Sequence, residues 1–151
     1  MTHGVVVGPG EGRRLSYAGE AVRVIAEPVV GHDGFAVTEM LVPARFAGPV
    51  PHVHHTFDEG IYVLDGGLLL AYGDTDPVEA GPGAFCLAPR GVRHTFRNPS
   101  DVPARILCLW SPGEVGLAFI EEVGAAIPPG GSPDPAVVAD IYRRHGSELR
   151  P

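Results

Sequence analysis

The segment PHVHHTFDEG, residues 51–60, carries three histidines and two carboxylates within eight positions, in a chain that has seven histidines altogether. In an extended strand the side chains at i and i+2 share a face, so His52 and His54 project together while Val53 and His55 point the other way. Two imidazoles on one face can grip one cation, and a site of borderline chemical character completes itself with a carboxylate. Glu59, arriving after a four-residue turn at the start of the next extended run, is placed to supply it, with Asp58 as the competitor. On these residues alone a solvated histidine cluster and a ligand pair both stand. Another histidine, His94, opens an extended run 40 residues beyond His54, just after a turn at Pro89 and Gly91.

The elements that must position these groups are strands. Twenty-one glycines and sixteen prolines punctuate the chain, and the segments between them are rich in Val, Leu, Ile, Phe and Tyr. Extended runs are expected at 13–18, 21–27, 34–42, 51–55, 59–66, 67–73, 84–89, 93–98 and 104–111, and their regular spacing suggests a sandwich or barrel. Asp65, Gly66 and Gly67 offer a tight turn, which predicts that 59–64 and 68–73 pair as an antiparallel hairpin. After residue 112 the period changes. Val115, Phe119, Ile120 and Val123 recur at helical spacing, and Asp134 with Pro135 can start a second helix carrying Val137, Val138, Ile141 and Tyr142 before Gly146 stops it. The expected organisation is one domain: a flexible N-terminus over 1–12, a barrel over 13–112 and a helical tail over 113–149.

Composition excludes several chemistries. All eleven basic residues are arginines, so Schiff-base catalysis and the lysine of a phosphate-binding loop are absent. The arginines are scattered and the formal charge is -7, which argues against nucleic acid as a partner. GPGEG, residues 8–12, is read as a flexible segment and not as a nucleotide loop. No apolar run reaches the length of a membrane span or a signal peptide, so a cytoplasmic protein with no membrane partner is expected. Cys86 and Cys108 are then read as small core residues. His3, His32 and His145 fall in flexible or surface contexts and receive no role.

From His52 to Gly66 the chain resembles the first motif of the cupin superfamily, H-x-H, four residues, Glu, six residues, Gly, matched at His52, His54, Glu59 and Gly66. Residues 83–98 resemble the second, G-x5-P-x-G-x2-H-x3-N, matched at Gly83, Pro89, Gly91, His94 and Asn98. The tail, with SPGEVGLAFIEEVG and DPAVVADIYRRHGSEL, is similar to that of single-domain cupins described as quercetin-dioxygenase-like, which extends the resemblance over about residues 34–149. One position departs: Phe46 stands where the family's first motif opens with glycine, and Gly48 follows two residues later. The resemblance implies an all-β jelly-roll barrel with a short C-terminal helical tail. It also implies one divalent transition metal, Fe, Mn, Ni, Co, Cu or Zn, held by His52, His54, Glu59 and His94 with one or two positions open.

Strand alternation nominates the cavity wall. Phe96 shares a face with His94, Ile61 and Val63 share one with Glu59, and Cys108 and Trp110 turn inward if Arg105 faces water. An apolar bowl with one polar, metal-binding end suits a planar or aromatic small molecule. The leading expectation is a dioxygenase of a flavonol-like, aromatic or enediol substrate, in which Glu59 is both ligand and general base, its pKa raised by the bowl although a metal would pull it down. Two alternatives are a redox-neutral isomerase, cyclase or hydrolase using the ion as a Lewis acid, and a non-catalytic small-molecule-binding module. A homodimer is expected through the outward-facing Val53, Tyr62 and Leu64.

Overall fold

Each apolar run between turn residues becomes a strand in the computed structural model, which describes residues 4–28, 34–129 and 132–151. The strands are β1 (Arg13–Tyr17), β2 (Glu20–Ala26), β3 (Ala36–Val42), β4 (His52–His54), β5 (Asp58–Asp65), β6 (Leu68–Tyr72), β7 (Val78–Ala80), β8 (Phe85–Ala88), β9 (His94–Arg97) and β10 (Ala104–Ser111). Helices α1 (Gly113–Ala125) and α2 (Pro135–Arg144) and a last strand, β11 (Ser147–Leu149), follow. His3 and His32 lie outside the described residues.

Two antiparallel sheets face each other, ordered β1-β2-β3-β10-β5-β8 and β11-β4-β9-β6-β7. This is the expected jelly roll with helices after it. Alternation makes each sheet two-sided: along β10, Arg105 is exposed while Ile106, Cys108 and Trp110 are buried against Met40, Ile61, Val63 and Leu70. The side chain of Asn98 is wholly buried and closes the β9–β10 connection, its Nδ2 donating to Pro43 O at 3.0 Å and Val102 O at 2.8 Å.

The predicted hairpin does not form. β5 pairs with β10 and β8, whereas β6 pairs with β9 and β7, so the turn at Gly66 carries the chain from one sheet to the other. Gly66 adopts φ +73° with its backbone close against Pro103 and Ala104, which is a demand of the sheet-to-sheet step as much as of a tight turn. Two strands also lay outside the sequence expectation: β7, and β11 at the end of a tail read as wholly helical.

The tail closes the barrel. Asp134 Oδ1 accepts from Ala136 N at 2.8 Å to cap α2, Pro135 occupies its first turn, and Gly146 at φ +64° turns the chain into β11. His145 is half-buried and not a surface residue, because its Nε2 lies 2.6 Å from Glu122 Oε2 on α1 and its ring meets Phe119 edge-on. Since β11 flanks β4 on one side and β9 on the other, β4 is an interior strand, and Val53 is buried. That removes Val53 from the apolar face proposed for dimerisation; Tyr62 remains exposed and Leu64 half-buried. No helix among the described residues is long and apolar enough to cross a membrane.

Candidate metal centre

Four side chains from three strands converge inside one end of the barrel. His52 and His54 stand two apart on β4, His94 opens β9 directly opposite His52, and Glu59 reaches across from β5 in the facing sheet. All four are buried, and one ligand atom from each lies within 4.8 Å of the others. The short turn that returns the chain from β4 to β5 crosses between the sheets, which is why a carboxylate five residues after His54 can face it.

Each imidazole is oriented from behind. His52 Nδ1 lies 2.8 Å from Val50 O and His94 Nδ1 2.9 Å from Val92 O, so each donates to a carbonyl two residues upstream. His54 Nδ1 instead meets the hydroxyl of Ser147, on β11, at 2.7 Å. With the outer nitrogens engaged, the Nε2 atoms are turned inward, the arrangement by which outer hydrogen bonds fix a metal-ligating histidine. Aromatic rings brace them: Phe57 stacks on His54 at 4.1 Å, Phe119 meets it edge-on at 4.9 Å, and Tyr142 meets His52 edge-on at 5.2 Å.

The donor set fits a divalent transition metal. His54 Nε2 is buried with no hydrogen-bond partner, although Glu59 Oε2 lies 3.3 Å away, and an orphaned buried nitrogen of this kind is what a cation would satisfy. Burial, followed by the neighbouring His94 and His54, pushes His52 down to about 3, so this imidazole is neutral with its lone pair available. For Glu59 burial acts upward, but the imidazoles of His54 and His94 outweigh it and hold the carboxyl below its ordinary range. The expectation of a raised Glu59 pKa is therefore reversed, because histidines and not only apolar walls surround it.

Asp58 is resolved as a structural residue. Its carboxylate accepts from the backbone N and the guanidinium of Arg90 at 2.8–3.1 Å, clamping β5 to the Pro89–Gly91 turn. Gly91 N in turn donates to His54 O at 2.8 Å. His55 is exposed and pairs with Glu148 at 3.2 Å, outside the cluster.

A cavity of about 20 Å³ adjoins His52 and Glu59. Phe96, Cys108 and Trp110 line it, together with Met40, Tyr17, Phe119 and Tyr142, which the sequence did not nominate. Ile61 and Val63 do not line it. Lower down β5 than Glu59, they point into the packed interior, where they are 2% and 0% exposed. Tyr142 was visible as a helix-stripe residue only; nothing in its spacing tells packing from cavity wall. Both cysteines are free thiols, and Cys108 Sγ lies 3.6 Å from Met40 Sδ.

Residues 38–110 match the cupin domain family, described as "Cupin domain". The chain is 29% identical over 101 residues to the uncharacterized protein MJ1618 of Methanocaldococcus jannaschii, covering 57% of this chain and 80% of that protein. Among solved structures, KdgF of a Halomonas species superposes with a TM-score of 0.61 over 73% of this chain and 94% of that one, at 19% identity. The polyketide cyclase RemF of Streptomyces resistomycificus superposes with a TM-score of 0.54 at 29% identity, over 66% of this chain and 70% of that one. The stretch matched to the cupin domain, residues 38–110, contains all four residues of the buried His-His-Glu-His cluster, and the superpositions share the barrel fold.

Proposed function

We propose that the chain is a metal-dependent enzyme that takes a neutral, ring-bearing small molecule by one of its oxygens and transforms it without net oxidation, by cyclisation or isomerisation. The observation that carries this is the pairing of a His52, His54, Glu59 and His94 cluster with a cavity wall that is otherwise apolar. A cation bound at these residues would supply a Lewis acid for a substrate carbonyl. Among the described residues Glu59 is the one acidic side chain lining the cavity, and, held ionised by His54 and His94, it stands as a ligand for that cation. Phe96, Trp110 and Phe119 wall the space beside the cluster with apolar surface and keep bulk water from it. Two features favour the redox-neutral chemistry: the similarity to the polyketide cyclase, and the thiol of Cys108 and thioether of Met40 in the same wall, both of which reactive oxygen attacks.

Dioxygenation, the leading sequence expectation, keeps one observation in its favour. The space beside His52 and Glu59 is about 20 Å³, room for one molecule the size of water or dioxygen. One experiment separates the two: metal analysis of fresh protein, then turnover of phenolic polyketides and flavonols with and without air, with oxygen uptake followed directly. Product formation without oxygen supports cyclisation or isomerisation. Uptake matched to flavonol loss overturns it in favour of the dioxygenase, and no turnover of any substrate by metal-loaded protein leaves a binding module.

A further inference from the structure

Outside the cavity at the cluster lies a groove of about 480 Å³, formed where the end of α1, the Val138–Tyr142 face of α2 and the loop before β4 meet the β1–β2 turn. Four residues, Tyr17, Pro49, Val123 and Tyr142, line both this groove and the small cavity at His52 and Glu59, so the two spaces adjoin across the neck that these side chains form. The groove has the volume of an ordinary small-molecule site, whereas the cavity at the cluster does not.

Chemically the groove is one-sided. Among the described residues its walls contain no Asp, Glu, Arg or His side chain, and the polar side chains are only Ser132 and the two tyrosines at the neck. Burial pushes both phenols upward, which keeps them neutral. An anionic or cationic ligand would leave water with nothing to pair with. One wall is Phe46, the residue that replaces the glycine of the usual cupin motif; its ring lies 6.3 Å from Tyr17 and 6.0 Å from Phe96, extending the aromatic lining of the cavity out into the groove.

We propose that this groove is the main part of the substrate site and holds the uncharged, apolar body of an elongated molecule, of which only a terminal oxygen reaches past the neck to the histidine cluster. The proposal rests on the metal-site reading given above and adds the substrate's shape and charge. Length, and not only the terminal oxygen, is then what the protein selects.

The test is a series of 4-alkylcatechols, from catechol itself to hexylcatechol, titrated calorimetrically into zinc-loaded and metal-free protein. Affinity should rise about fourfold for each methylene added, in both forms, until the groove fills. Two variants place a charge in opposite walls, Val138→Glu on α2 and Ile127→Glu after α1, and each should flatten the rise with chain length. Zinc-dependent binding of catechol itself reports that each variant is folded at the cluster. A chain ending in carboxylate should bind more weakly than the neutral chain of equal length. No dependence on chain length in the parent protein, or equal dependence in both variants, overturns the groove assignment. Tighter binding of the carboxylate chain overturns its uncharged character. Catechol binding that ignores zinc overturns the metal-site reading while leaving the chain-length result to stand by itself.

Discussion

Ser147 Oγ lies 2.7 Å from His54 Nδ1, joining the last strand of the chain to a residue of the metal cluster across 93 positions of sequence. His52 and His94 are held by carbonyls of their own segments, so His54 alone is oriented by a distant side chain. Ser147 is buried and sits on β11, which pairs with β4 in register at Ser147 and His54. The tail is thus part of the candidate metal site. Replacing Ser147 by Ala should weaken zinc or cobalt affinity by about 10–100-fold, the usual effect of removing an outer hydrogen bond to a ligand histidine. Competition against a chromogenic chelator measures it, and Ser147→Thr, which keeps the hydroxyl, should recover most of the loss. Equal affinities for the Ala and parent proteins would mean the contact orients nothing.

Glu59 and Asp58 are neighbours with opposite assignments, and exchange of each carboxylate for its amide separates them. Glu59→Gln removes an anionic donor from a buried site and should lower metal content to near background after dialysis. Asp58→Asn weakens an exposed pair with Arg90, an interaction worth about 0–1 kcal/mol, and should leave metal content unchanged. Elemental analysis of the two purified variants decides, and loss of metal from Asp58→Asn alone would reverse the assignments.

How far the sequence could be read follows the range of the interactions. His52, His54, Glu59 and His94 were legible because strand alternation fixes a face and two short motifs fix the spacing, and both act over a few residues. Phe96, Cys108 and Trp110 followed from the same alternation. The partner of β5 was not legible: a glycine turn suits a hairpin and a step between sheets equally, and only the approach of Gly66 to Ala104 tells them apart. Tyr17 and Ser147 reach the site from the two ends of the chain, where no local pattern marks a residue for a cavity. Val53 was misjudged because the strand that flanks β4 comes from the tail.

Gly48 explains why the displaced glycine of the first motif is still needed. It adopts φ +85°, and a Cβ built there would stand 1.8 Å from Phe96 O, against backbone that cannot turn aside. The loop it shapes carries Pro49 at the neck and Val50, whose carbonyl orients His52. Gly48→Ala should therefore destabilise the fold by about 2 kcal/mol or more, the upper part of the usual range for single substitutions, and also weaken metal binding. Denaturant unfolding with and without zinc measures both, and a stability within about 0.5 kcal/mol of the parent, the range of an ordinary surface change, would count against this account.

Acid should unfold the metal-free protein earlier than its carboxylates alone dictate. His52 has a folded value of about 3 against an ordinary 6.5, so between these limits the unfolded chain binds a proton that the folded chain refuses. Stability is then complete above pH 6.5 and declines as the pH falls toward 3, by at most about 5 kcal/mol for a shift of this size. Glu59, lowered from 4.5, acts in the same sense as the pH drops below that value. His94 opposes them: burial works against its charge, but the hydrogen bond to Glu59 raises it, adding stability on the acid side. Urea unfolding in EDTA at pH 7.5, 6, 5 and 4 should show a steady decline that His52→Gln makes shallower, whereas a flat profile between pH 7.5 and 5 would show that burial of the neutral imidazole carries no such cost.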